Sequence, residues 1–225
     1  EKVVNRSRNE FTEQSLVRLC AIHLQKEDFQ NAIPVLKRLE SEAEFPQNVT
    51  YAQANLMRSY YNIEDFANTV VYAEKVLANE KTDNKVKSDA QIMIARSAFK
   101  TGDEAKAKTA YKNLEKIAQG ELAAEALYYD AYFKNKEQKY EDSNKAIQIL
   151  TKDYSGYKYF GVKGLVLMAK NFYALKDSFQ ATHILESVIK NFTEYPDIIE
   201  EAQTQLDLIK SEEAKRNSSV IENEE

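Results

Sequence analysis

Apolar side chains recur along this chain every three or four residues, in stretches of helical length that come in pairs. Ala52, Leu56, Tyr60 and Ile63 form one stripe, and beyond a polar break at Glu64-Asp65 a second follows, with Phe66, Val70, Ala73, Val76 and Leu77. A stripe of this period marks an amphipathic helix. Neither helix can bury its stripe alone, so the pattern predicts an antiparallel helical hairpin that packs on its neighbours. The same reading places further hairpins at about residues 12–41, 85–118, 122–153 and 158–192.

The polar break is itself repeated. It reads Lys26-Glu27-Asp28-Phe29, Ile63-Glu64-Asp65-Phe66, Thr101-Gly102-Asp103-Glu104, Gln138-Lys139-Tyr140 and Lys176-Asp177-Ser178-Phe179. Taking Phe29, Phe66, Glu104, Tyr140 and Phe179 as equivalent gives spacings of 37, 38, 36 and 39, in the range of helical-pair solenoids. The expected fold is all-α. A lead-in at 1–12 is followed by one solenoid domain at 13–215, with repeats at about 13–47, 48–84, 85–121, 122–157 and 158–195. Pro196-Asp197 opens a further helix, carrying Ala202, Leu206 and Ile209 and acids in its first turns, which reads as a terminal cap at 196–215. The polar end, 216–225, has too little apolar content to pack and is expected to be a disordered tail. Small residues fall at equivalent places where paired helices approach, at Cys20, Ala95 and Ala131, with Met57 and Lys170 breaking the rule. Pro34 is expected to mark a late or irregular helix start.

Composition supports helix by subtraction. Only 5 Gly and 3 Pro punctuate 225 residues, too few for many strands and tight turns. No apolar run approaches the roughly 18 residues of a membrane span. The single cysteine excludes an intrachain disulfide. A net charge of -5, with acids and bases interspersed, gives no basic stripe of the kind that nucleic acid calls for, and no nucleic-acid partner is expected.

Candidate chemistry is sparse. Cys20 and His23 lie three apart, but a zinc site needs three or four ligands, and nothing nearby supplies an oxyanion site for a nucleophile. They read as a packing thiol and a helix-face histidine. There is no glycine-rich phosphate loop, no His-Glu-x-x-His and no calcium loop, so no enzyme activity, metal or cofactor is expected. The Asn-x-Ser/Thr triplets at Asn5, Asn48, Asn191 and Asn217 read as accidental in an asparagine-rich chain.

The acidic or Gly-Asp turn, the aromatic after it, and small residues such as Ala32 and Ala107 give the chain a resemblance to the tetratricopeptide repeat family, from about Glu13 to the end of the cap. Thr69, Ser143 and Thr182 stand where that family usually has alanine. The period exceeds the family's usual 34 residues. Long repeats ending near Phe45-Pro46 or Tyr195-Pro196 resemble those of bacterial envelope members, such as the Tol-Pal-associated coordinator and the barrel-assembly lipoprotein. The resemblance implies a right-handed α-solenoid of about five repeats, and a periplasmic or outer-membrane-associated setting in preference to a cytoplasmic one.

It also implies a concave groove lined by the first helix of each pair. Laid on this chain, the groove positions are Val17, Leu24 and Gln25; Arg58, Tyr61 and Asn62; Ile92, Arg96, Phe99 and Lys100; Tyr128, Tyr132, Asn135 and Lys136; and Leu167, Asn171 and Ala174. The middle is aromatic and basic, so the expected peptide-binding site is Arg58, Tyr61, Asn62, Arg96, Phe99, Lys100, Tyr128, Tyr132, Asn135 and Lys136. Such a surface suits an extended protein segment: asparagine meets its amides, aromatic rings cover its apolar side chains and arginine grips its carboxylates. The family's two-carboxylate clamp is not reproduced, since Val17 and Ala21 stand where its Lys and Asn would be. The implied function is a non-catalytic protein-binding scaffold. The alternatives are a self-associating solenoid or the regulatory part of a larger protein.

Overall fold

The computed structural model describes residues 8–221 of the chain. Among them are eleven α-helices and no strand, so the chain is all-α. Five hairpins come first: α1 (Thr12–Gln25) with α2 (Phe29–Glu42), α3 (Pro46–Asn62) with α4 (Phe66–Ala78), α5 (Asn84–Lys100) with α6 (Glu104–Glu115), α7 (Gly120–Lys136) with α8 (Tyr140–Asp153), and α9 (Lys158–Ala174) with α10 (Ser178–Asn191). The last helix, α11, spans Pro196–Ile221. It runs past the expected cap end, so 216–221 of the expected disordered tail are helical, while 222–225 lie outside the described residues. Pro34 does not delay α2, which starts at Phe29 and runs through it. Pro34 and Gln30, the residue whose carbonyl loses its amide partner, are both exposed.

The chain divides into two compact units, Glu1–Ala118 and Gln119–Glu225. The break falls between the third and fourth hairpins. In the first unit each helix from α1 to α6 packs on the next, and α3 also packs on α5. In the second, α7 to α11 pack in succession, and α9 also lies against both α7 and α11.

Each hairpin turn is built the same way, and the reason is backbone geometry. One residue is left-handed in every turn: Glu27, Glu64, Gly102, Gln138 and Lys176, with φ of 54°, 59°, 82°, 60° and 70°. The amide that follows it donates to the carbonyl five residues earlier, as from Asp28 to His23, Asp65 to Tyr60 and Asp177 to Phe172, each at 2.9 Å. This is a Schellman closure, which satisfies the last carbonyls of the first helix. The aspartates then start the second helix: Asp65, Asp103 and Asp177 accept from the amides of Asn68, Lys106 and Gln180 at 3.0–3.1 Å.

These left-handed residues fix the register, and they correct the fifth repeat by one position. Their spacings are 37, 38, 36 and 38, so Ser178, not Phe179, is equivalent to Phe29 and Phe66. Phe179 is instead 76% exposed. Two apparent irregularities then vanish. Seven places before the turn residue stand Cys20, Met57, Ala95, Ala131 and Ala169, all fully buried, so Ala169 takes the place assigned to Lys170. Five places after it stand Ala32, Thr69, Ala107, Ser143 and Ala181, again fully buried, so Ala181 replaces Thr182. Thr69 and Ser143 keep their hydroxyls satisfied, donating to the carbonyls of Asp65 and Ala131 at 2.8 Å.

Left-handed backbone costs a non-glycine residue about 1–2 kcal/mol, whereas glycine adds about 0.4–1 kcal/mol of unfolded-state entropy. Lys176→Gly is therefore expected to stabilise the protein by about 0.5–1 kcal/mol. The check is a higher guanidinium midpoint with an unchanged slope.

Within each unit, a first helix meets the second helix of the preceding hairpin through a stripe placed sixteen, twelve, eight and five positions before its turn residue. On α5 this is Val86, Ala90, Ile94 and Ser97, against α4; on α9 it is Phe160, Gly164, Met168 and Asn171, against α8. The hydroxyls of Ser59 and Ser97, equivalent residues on α3 and α5, are buried with no hydrogen-bond partner. A lone buried hydroxyl carries a desolvation penalty of about 1–3 kcal/mol. Ser59→Ala and Ser97→Ala are each expected to stabilise by about 1 kcal/mol, read as a rise in the thermal midpoint.

Candidate functional site

The ten expected site residues fall in both units. Arg58, Tyr61, Asn62, Arg96, Phe99 and Lys100 belong to the first, and Tyr128, Tyr132, Asn135 and Lys136 to the second.

In the first unit the site is a strip across the C-terminal halves of α3 and α5, which pack side by side. The corrected register gives both helices the same three surface places: six before the turn residue for Arg58 and Arg96, three before for Tyr61 and Phe99, two before for Asn62 and Lys100. The first two pairs are half-buried, the last exposed. The Arg58 Nη2 lies 2.6 Å from the Asp89 Oδ2, tying α3 to α5 and leaving about a third of each side chain in solvent. The Asn62 amide donates to the Arg58 carbonyl at 2.9 Å. The Tyr61 ring meets Phe66 edge-on at 6.1 Å, and the Lys100 Nζ stands 5.3 Å from the Phe66 ring centroid and 3.9 Å from a Glu64 oxygen. Lys100 thus holds a cation–π contact at the rim, worth about 0.5–1 kcal/mol at an exposed site. Phe66 is an added member of this cluster, brought in by the turn.

In the second unit the four residues part company. Tyr128, ten places before its turn residue, is a core side chain at 6% exposure, packed with Phe160 and under the Lys163 ammonium at 5.2 Å. Burial raises its hydroxyl pKa, with the Glu201 carboxylate adding to the shift. The equivalent Ile92 is also buried, so this row faces the neighbouring helix and not solvent. Asn135 is committed to structure: its amide donates to the Asn171 Oδ1 at 2.6 Å, and the Asn171 amide donates in turn to the Ser143 Oγ at 2.8 Å and the Asn144 Oδ1 at 2.7 Å. Tyr132 is half-buried against the core and Lys136 exposed, with the ammonium 5.6 Å from the ring centroid. Tyr132 also packs edge-on against Tyr129 and Phe133.

The register shift changes two further places. Asn171, expected on the groove, is fully buried in the network just described, and Leu167 is buried in the core. Lys170 takes the row of Arg58 and Arg96, and its Nζ is 2.6 Å from Glu201, an ion pair between α9 and α11 that parallels the Arg58–Asp89 pair between α3 and α5. Sequence reasoning missed Lys170 because the fifth turn was aligned on the wrong phenylalanine.

Cys20 and His23 are not paired. Cys20 is fully buried, and burial pushes its thiol pKa up to about 12, while the His23 Nδ1 is 3.0 Å from the Asp28 Oδ2. Among the described residues no group of three or more His, Cys, Asp or Glu side chains is placed to hold a metal ion, and no helix is long and apolar enough to cross a membrane.

No protein-family model and no curated protein matches the chain.

Proposed function

We propose that this chain is a non-catalytic binding module of tetratricopeptide type, a right-handed solenoid of helical hairpins that takes up an extended segment of a partner protein and serves as a scaffold in a bacterial cell-envelope assembly. The observation that carries the reading is the matched strip on α3 and α5. A cation, an aromatic ring and a polar or cationic tip recur in the same register on two adjacent first helices, Arg58-Tyr61-Asn62 and Arg96-Phe99-Lys100, all at least partly open to solvent. An extended segment laid across both helices meets guanidinium and ammonium groups for its carboxylates, rings for its apolar side chains and an amide for its backbone. Tyr132 and Lys136 offer the same chemistry in the second unit. The envelope setting is supported by the repeat period, which is longer than the family's usual 34 residues.

The test is selection of a displayed library of unstructured peptides on the wild-type protein, followed by affinity measurement. Lys100→Glu, at an exposed position, is expected to weaken the selected peptides several-fold, and Arg58→Glu with Arg96→Glu at least tenfold, with helical circular dichroism unchanged. Equal affinity for wild type and the Lys100→Glu protein, or peptides that crosslink only to second helices, would sink the reading.

A further inference from the structure

A small apolar pocket in the second unit lies outside the strip and does not depend on it. It encloses about 230 Å³ where the turn between α8 and α9 meets the end of α10. Its deepest lining residue is Val162, 3% exposed, and half-buried Tyr154, Leu165 and Phe192 form its sides. Thr151 also lines it, with its hydroxyl donating to the Ile147 carbonyl of its own helix at 3.0 Å. Tyr157 stands at the rim. Its amide donates to the Tyr154 carbonyl at 2.9 Å, closing the turn that carries both rings, and its hydroxyl abuts Gly120, where a Cβ would stand 2.9 Å from it.

One residue holds this space open. Fifteen places before the turn residue, α3, α5 and α7 carry Val49, Lys87 and Ala123, whereas α9 carries Gly161. Gly161 lines the pocket, and a Cβ built on it would meet nothing within 4 Å. Glycine is a poor helix residue, and here no packed neighbour demands it, in contrast to Gly164. An open pocket is what the missing side chain provides.

We propose that this pocket binds a small aromatic acid, a single ring bearing one anionic group. Its size sets the ring: a cavity of about 150 Å³ admits benzene, so one of about 230 Å³ takes a ring with a short substituent. Its walls set the aromatic character, since apolar side chains and the rings of Tyr154, Tyr157 and Phe192 favour another ring by buried area and by edge-to-face contact. Its rim sets the charge. Lys158 is the one ionised side chain in the lining, is exposed, and has no ion-pair partner among the described residues. The other charges nearby in the chain, Lys152, Asp153, Lys190, Glu194 and, beside Gly120, Glu121, are of both signs, all exposed and all outside the lining. That polar surround gives a polypeptide no apolar track toward the opening, so the occupant is a free acid and not a partner's side chain.

The probe is phenylacetate, titrated into the isotope-labelled full chain and followed by amide chemical shifts. Saturable shifts are expected at residues 154–162 and around Phe192, with no saturation by acetate, which lacks the ring. Gly161→Leu is expected to weaken phenylacetate at least tenfold. Lys158→Gln, at an exposed position, is expected to weaken phenylacetate several-fold and to leave neutral phenylacetamide unchanged. Circular dichroism checks that both variants remain folded. Absence of saturation by phenylacetate, or equal affinity for wild type and both variants, would overturn the proposal. Binding of the blocked dipeptide acetyl-Asp-Phe-amide to the same residues at least tenfold more tightly than phenylacetate would overturn it in favour of a partner's side chain.

Discussion

Asn171→Ala is expected to lower the stability of the Gln119–Glu225 unit by about 3 kcal/mol. The residue is fully buried, and its side chain uses its oxygen and both amide hydrogens: it accepts from Asn135 and donates to Ser143 and Asn144. Ser143 passes the chain on by donating to the Ala131 carbonyl, so the network joins α7, α8 and α9. Truncation leaves the Asn144 oxygen without its donor inside the protein, at about 1–3 kcal/mol, and adds a small cavity. Asn171→Leu separates the two effects, because leucine fills the volume but cannot bond. A loss of about 2 kcal/mol or more in the leucine protein is expected, since the orphaned polar groups are the larger part of the cost. Guanidinium unfolding with unchanged slope measures both. A loss below about 1 kcal/mol for Asn171→Ala would mean that water or a flipped Asn144 amide repairs the network.

That network also marks where the sequence ceased to be legible. The hairpins were readable because each apolar stripe changes phase at a polar turn, and the five hairpins begin and end within a few residues of their expected places, whereas α11 runs on to Ile221. The left-handed turn residue was harder to see, because only Gly102 carries the residue that such a backbone favours, while Glu27, Glu64, Gln138 and Lys176 occupy it at a cost. In the fifth copy Phe179 imitates Phe29 and Phe66 one position late. A slip of one residue is a rotation of about 100° around a helix, enough to exchange a surface place for a buried one. It put Asn171 on the groove and hid Lys170. Tyr128 illustrates a different limit: it shares a helix side with Tyr132, and only the helix that packs beside it decides that one is fully covered and the other half-covered. The strip on α3 and α5 was legible because both turns there were aligned correctly, so every residue in it kept its place.

Gly164→Leu is expected to destabilise the second unit by about 3 kcal/mol, while Gly161→Ala, three residues earlier on the same helix, is expected to stabilise it by about 0.5–1 kcal/mol. Both glycines sit inside α9, where each costs about 1 kcal/mol relative to alanine, so local propensity alone treats them alike. Packing separates them. A Cβ at Gly164 would lie 3.1 Å from the Ile147 Cγ2 and 3.3 Å from the Leu150 Cδ2, whereas at Gly161 nothing lies within 4 Å. The places equivalent to Gly164 on α3, α5 and α11 hold Ala52, Ala90 and Ala202, all fully buried, so this row sets how closely a second helix approaches the next first helix. At Gly164 the covering pair is Ile147 and Leu150, which would have to give slightly even for a methyl group and have no room for a larger side chain. A leucine there must push α8 from α9, which also lengthens the Asn171 bonds to Ser143 and Asn144 one helical turn or two away. Gly164→Leu with Asn171→Ala is therefore expected to cost less than the sum of the two single changes, because each removes part of what the other disturbs. Full additivity in a double-mutant cycle would show that the steric wedge and the polar network are independent supports of the α8–α9 contact.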